Sequence, residues 1–188
     1  MKNKEIKEKK SIEKIHEALA LLIKKNGYDN INVSDIIKES GVSRSTFYTY
    51  YKSKDDVLDK LSDHIFSHVF SNGLTKEEGH DFSTFSIFDY KHLIEHIFYH
   101  FKEERELIGA IFNSSASHRF IHSLEEEVKD FMKLLVLLNI FTSNNIPENI
   151  ATSQYTSGLI ELLKYYTIQE RKETPEEMCS YFFSLYQK

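Results

Sequence analysis

The chain has 188 residues, enough to bury a real core as one domain or as two small ones. Two prolines and six glycines suit long helices better than a turn-rich β-sandwich, and the single cysteine, Cys179, excludes an intramolecular disulfide and a thiolate zinc site. The net charge of −5 hides an asymmetry, because residues 1–54 carry 12 Lys/Arg against 7 Asp/Glu (+5) and residues 55–188 carry 12 against 22 (−10). Such a split points to one nucleic-acid-facing end and an acidic, solubilising remainder. Met1 to Lys10 is charged and no apolar run follows it, so no signal peptide is expected. Leu134 to Phe141, the most apolar stretch, is far short of the ~20 residues of a membrane span. A soluble, cytoplasmic protein is expected, with no membrane contact.

In chain order, Lys2 to Lys10 reads either as a solvated arm or as an arm that enters a DNA groove. Ser11 is placed as the cap of a first helix to Asn26, with Ile12, Ile15, Leu19 and Leu22 at helical spacing and Gly27 as its left-handed stop. Ser34 is placed as the cap of a very short second helix that Gly41 ends. Ser43 caps a third helix to about Tyr51, and Ser53 caps a fourth that reaches Ser71. From Asn72 to Asp89 the periodicity fails, which predicts the longest loop, a mobile one. Helices are then expected at Tyr90–Lys102, Arg105–Ser114 and Arg119–Phe141. The last of these is apolar nearly all round in its second half and is expected to be central. Pro147 opens a helix to about Gln169, and Thr174-Pro175-Glu176-Glu177 opens the final one with a cap, a first-turn proline and two acids. The reading is all-α, about nine helices and no sheet.

Three short helices in succession, with Gly41-Val42-Ser43 turning between the second and third, describe a helix-turn-helix. Ile36, Ile37, Val42, Phe47 and Tyr51 form the apolar seam that sets the angle between its two helices. The opposite face of the third helix then offers Arg44, Ser45, Thr46, Tyr48 and Thr49, all donors or small residues and none a carboxylate. An arginine reaches a guanine edge with two hydrogen bonds, and Ser or Thr serves bases or phosphate. The helix starts at Ser43 and Ser53 can receive phosphates, with Lys54 beside the second.

Residues 31–58, INVSDIIKESGVSRSTFYTYYKSKDDVL, resemble the DNA-binding signature of the TetR family, and the resemblance extends over about residues 11–60. Ile37 stands where that pattern often has alanine, Ser45 where glycine is frequent, and Tyr50 where histidine is often found. The resemblance implies a DNA-binding domain at residues 1–54 and a helical regulatory and dimerisation domain at 55–188. It implies DNA contacts from Ser34, Ser43, Arg44, Ser45, Thr46, Tyr48, Thr49 and Tyr50, with Lys54 holding a phosphate. Tyr155 to Tyr166 followed by Thr174 to Met178 is similar to the dihydroxyacetone-kinase-regulator type within the family.

The partners expected on this basis are a palindromic double-stranded DNA operator, a second copy of the chain and a small-molecule effector that releases a repressor. The alternative is a DNA-binding adaptor or activator governed by a protein partner, with no small-molecule pocket. A pocket of Phe66, Phe70, Phe98, Phe101, Phe112, Phe131 and Tyr155 follows from the family analogy, although each ring taken alone reads as core. The resemblance gives dimerisation to the last two helices. Apolar residues on two sides of the earlier one, and Gly158 where another helix could pass close, support an interface of Tyr155, Gly158, Leu159, Leu162, Tyr166, Phe182 and Leu185.

Histidines at His64/His68, His92/His96/His100 and His118/His122 share helical faces, and His92-Leu-Ile-Glu95-His96 spells a zinc-peptidase string. No second motif frames a third ligand. Tyr90, Leu93, Ile94, Ile97 and Phe101 are expected to be the buried face of that helix, which places these histidines on the surface. No metal, cofactor or enzymatic activity is expected, for the chain shows no Ser/His/Asp order, phosphate loop or paired catalytic carboxylates.

Overall fold

The computed structural model describes residues 2–70, 76–77, 80–81, 89–141, 146–168 and 172–186. Among these the chain forms α1 (Lys2–Asn26), α2 (Val33–Ser40), α3 (Arg44–Tyr50), α4 (Lys54–Val69), α5 (Tyr90–Glu103), α6 (Arg105–Phe112), α7 (Ser117–Leu137), α8 (Glu148–Ile168) and α9 (Pro175–Tyr186). A 3-10 turn, Tyr28–Asn30, links α1 to α2. The only strand pairing among the described residues is a two-residue antiparallel ladder, β1 (Lys76–Glu77) with β2 (His80–Asp81). The rest of the long loop expected between Asn72 and Asp89 lies outside the described residues.

The boundaries follow from local chemistry. Gly27 and Gly41 stop α1 and α2 at φ of 72° and 66°, where a side chain would be strained. The Ser43 hydroxyl accepts the Thr46 N–H at 3.0 Å. The Ser53 hydroxyl accepts the Asp56 N–H at 3.1 Å while the Asp56 carboxylate accepts back from Ser53 N at 3.2 Å. Thr174 and Glu177 form the same reciprocal box at the start of α9. Two expected caps are corrected. α1 does not begin at Ser11 but runs from Lys2, which makes the basic segment a helix rather than an arm. The cap of α2 is Asn32, boxed with Asp35, and Ser34 is an exposed first-turn residue.

α8 lies at the centre of the C-terminal helices, against α5, α6, α7 and α9. Its Leu159 and Leu163 are fully buried, and the close approach to α6 is made at Gly109, where a Cβ would stand 3.2 Å from the Thr167 carbonyl oxygen. The central role expected for the end of α7 is not observed. α7 buries one stripe, Phe120, Leu124, Val128, Met132 and Leu135, and leaves Leu134, Leu137 and Leu138 about half exposed. Asn139 at φ 57° then turns the chain so that Phe141 returns to the core. His96 and His100, expected on the surface, are 1% and 7% exposed, because α5 buries Ile94, His96, Ile97, Phe98, His100 and Phe101, while Tyr90 and Leu93 of the expected face are half-buried.

Candidate nucleic-acid interface

The helix-turn-helix is held by the seam that the sequence indicated. Ile36 and Phe47 have no exposed surface and Tyr51 is nearly sealed, while Ile37 and Val42 are half-buried against them. Fixing this face fixes the other: Arg44, Ser45, Tyr48 and Thr49 point to solvent, and Thr46 and Tyr50 are half-buried at its edges. The hydroxyls of Ser43 and Thr46 lie 2.7 Å apart and those of Ser43 and Ser45 2.9 Å apart, a small polar cluster on the first turn of α3. Thr49 donates to the Ser45 carbonyl at 2.9 Å, and the Arg44 guanidinium lies 5.6 Å from the Tyr48 ring centre. The face is cationic and rich in donors, and it carries no acid. Such a face can read a DNA groove while phosphates meet the capped helix starts.

The supports of this helix were not visible in the sequence. His16 on α1 reaches the Tyr51 hydroxyl at the end of α3, with Nε2 at 2.8 Å. Burial, with a smaller contribution from His64, lowers the His16 pKa from 6.5 to about 4, so the ring is neutral near pH 7. Burial alone raises the Tyr51 pKa.

Lys54 also holds the chain's own backbone. Its ammonium donates to the carbonyls of Tyr28 and Ile31, each at 2.9 Å, and sits 4.2 Å from the Tyr28 ring centre. A cation in the first turn of a helix opposes the macrodipole, and these carbonyls and the ring face offset that. The geometry makes Lys54 a clamp between α4 and the α1–α2 connection. Tyr28 in turn donates its hydroxyl to Asp55, and burial followed by that bond raises its pKa.

A polar latch joins this head to the C-terminal helices. The Asp29 carboxylate accepts the Ser115 N–H at 3.2 Å and also the Ser115 hydroxyl, which, first among the causes, lowers its pKa. Arg119 meets Asp59 at 2.8 Å and Asp55 at 3.9 Å, and Lys24 meets Glu104 at 3.5 Å. Beside that last pair a groove of ≈ 540 Å³ runs between α1, α4 and α6, floored by Ile12, His16, Ala20, Leu61, Ile65 and Leu107.

The expected aromatic pocket is not gathered in this way. Phe66, Phe98 and Phe101 are 0% exposed and Phe112 is buried, so these rings fill core; Phe66 packs on Phe120 and Phe98 on Tyr166. Phe70 and Phe131 are half-buried and meet each other at 6.2 Å. Tyr155 belongs to a separate cluster with Phe141, Phe182 and Tyr186. None of the seven lines the α1–α4–α6 groove.

The expected pairing surface is corrected too. Tyr155, Leu159, Tyr166 and Phe182 are buried in the chain's own core. Gly158 has Tyr186 of the same chain over it, with the ring's hydroxyl end where a Cβ would stand. Leu162 is half-buried, and Leu185 is exposed. The apolar residues that α8 and α9 do turn outward are Ile150, Tyr165, Ile168, Tyr181 and Leu185.

An exposed donor face on the second helix of a helix-turn-helix, latched to an all-helical body, defines a DNA-binding regulator of the helix-turn-helix class. Residues 15–61 match the family described as "Bacterial regulatory proteins, tetR family", and residues 89–188 match "Transcriptional regulator C-terminal region". The chain belongs to the TetR family. It is similar to a TetR transcriptional regulator from Streptococcus agalactiae 2603V, with 26% identity and a TM-score of 0.70 over 97% of this chain and 96% of that one. The dihydroxyacetone kinase operon activator DhaS shares the fold at 15% identity and a TM-score of 0.68, over 93% of each chain. The HTH-type regulator YxbF of Bacillus subtilis is 22% identical over 86% of this chain and 40% of its own length. The chain spans less than half the length of the curated relatives it matches.

Proposed function

We propose that the protein reads a short palindromic DNA operator as a homodimer and represses transcription until a small-molecule effector releases it. The observation that carries the reading is the exposed face of α3, where Arg44, Ser45, Tyr48 and Thr49 stand free of any acid on a helix whose other side is sealed. A single such helix reads only a half-site, so useful specificity needs two, about one turn of DNA apart. The outward face of α8 and α9 supplies an apolar surface for pairing, with Ile150, Tyr165 and Ile168 recurring along one side of α8. The domain division, a reading head ending near residue 54 and a regulatory body beyond it, belongs to this proposal. Its support is the set of polar contacts that cross this division, Asp29 of the head with Ser115 of the body and Lys24 of the head with Glu104 of the body. An effector acts by favouring a conformation in which the two heads no longer match successive major-groove faces. The groove between α1, α4 and α6 straddles the same junction and has the volume of a small-molecule site.

Selection of bound fragments from random DNA, followed by anisotropy titrations over a range of salt, tests this. Arg44→Ala is expected to weaken the selected operator by about 10–100-fold and to relax preference at one base position per half-site. Selection that enriches no palindrome, or a variant that binds like the parent, overturns the assignment.

A further inference from the structure

Two histidines stand in the core on α5, where each imidazole nitrogen needs a partner. On α5 the Nε2 atoms of His96 and His100 face each other at 2.9 Å, with the rings edge to face. The other ring nitrogen of His100, Nδ1, lies 3.5 Å from the Glu103 carboxylate. A carboxylate behind one nitrogen of an imidazole whose second nitrogen faces another donor is the arrangement that orients metal-bound histidines. Two imidazoles on a tetrahedral zinc ion at 2.0–2.1 Å stand about 3.3 Å apart, so this pair has only to open by a few tenths of an ångström. α4 brings a third imidazole: the His68 ring centre is 4.7 Å from that of His100 and 6.4 Å from that of His96. A cavity of ≈ 260 Å³ reaches the cluster from solvent, and its wall includes His64, His68, His100, Glu103 and Glu104. The two glutamates place negative charge beside an incoming dication.

We propose that His68, His96 and His100 bind a divalent transition ion of the zinc class, with Glu103 as a positioning residue behind His100. Imidazole nitrogen suits such ions, whereas magnesium and calcium require oxygen. Among the described residues the donors are not gathered round one point. The site closes when the exposed His68, in the last turn of α4, rotates its ring toward the α5 pair, whose donors already face each other. Water completes the coordination.

The test uses the full chain, without an affinity tag, stripped with chelator and titrated with Co²⁺ followed by Zn²⁺. One Co²⁺ per chain is expected, with the visible absorption of a four-coordinate site, displaced by Zn²⁺. His68→Ala replaces an exposed residue, so it leaves the fold intact, and it should weaken Co²⁺ binding at least tenfold. Glu103→Gln should weaken it by about tenfold or more while keeping the same absorption bands. His96→Leu with His100→Leu should abolish binding; if that double variant does not fold, the two single variants still decide. The proposal is overturned if micromolar Co²⁺ and Zn²⁺ give no saturable binding, or if His68→Ala and Glu103→Gln bind like the parent. A buried pair that responds to pH alone shows the first of these results. Both arms read the metal directly and need no operator.

Discussion

Replacing His16 by asparagine removes a titrating group while leaving a side chain that can still meet the Tyr51 hydroxyl. The folded pKa of about 4 lies below the unfolded value of 6.5, so the unfolded chain binds the proton more readily throughout that interval. Stability therefore rises with pH from about 4 to 6.5 and is lost as pH falls through the same window; above it the contribution is flat. At about 1.4 kcal/mol per pH unit the gap amounts to about 3 kcal/mol for a fully sealed ring. The His16 ring is only partly buried, and solvent screening reduces this to about 1–2 kcal/mol. Carboxylates titrate in the same range, so the informative quantity is the difference between parent and His16→Asn in urea unfolding free energy, at pH 7.5 and at pH 4.5. The parent should lose about 1 kcal/mol more than the variant on acidification. Equal losses in the two proteins, or an imidazole NMR titration of His16 centred near 6.5, would refute the reasoning that burial holds this ring neutral.

Lys54→Met should lower the melting temperature, by about 2–4 °C for each kcal/mol of lost clamp, while the salt dependence of operator binding stays close to the parent's. A flattened salt slope at unchanged stability would return Lys54 to the phosphates. Leu185→Glu and Tyr165→Glu place charges on the outward face of α8 and α9 and should shift sedimentation from dimer to monomer with helix content retained; variants that remain dimeric at micromolar concentration move the interface elsewhere. Gly158→Arg should destabilise the chain itself, because the new side chain displaces Tyr186 and its ring contacts with Tyr155 and Phe182, and the loss should not depend on protein concentration. A drop confined to low concentration would instead restore Gly158 to the dimer surface.

The elements of this protein were legible along the chain because they rest on local rules. Gly27 and Gly41 mark stops, Ser43, Ser53 and Thr174 mark starts, and apolar spacing marks the helix faces, all within a few residues of the structure they produce. The exposed side of α3 was legible for the same reason, since burying Phe47 on a seven-residue helix turns Ser45 and Thr49 to the opposite side. Competition between residues was harder to read. Asn32 and Ser34 both suit a cap, and the chain takes Asn32 because Asp35 can answer it at the right offset. What depended on helices distant in sequence could be decided only by tertiary packing. His16 and Tyr51, 35 residues apart, carry no mutual signal until α1 crosses α3. Lys54 shows no role as a clamp until the carbonyls of Tyr28 and Ile31 arrive beside it. The apolar positions of α8 suit a partner helix of either chain, and only packing assigned Leu159, Tyr166 and Gly158 inward and left Ile150, Tyr165 and Ile168 outside. Spacing reports which residues share a helical face; which neighbour meets that face depends on contacts between helices that the spacing of any one helix does not contain.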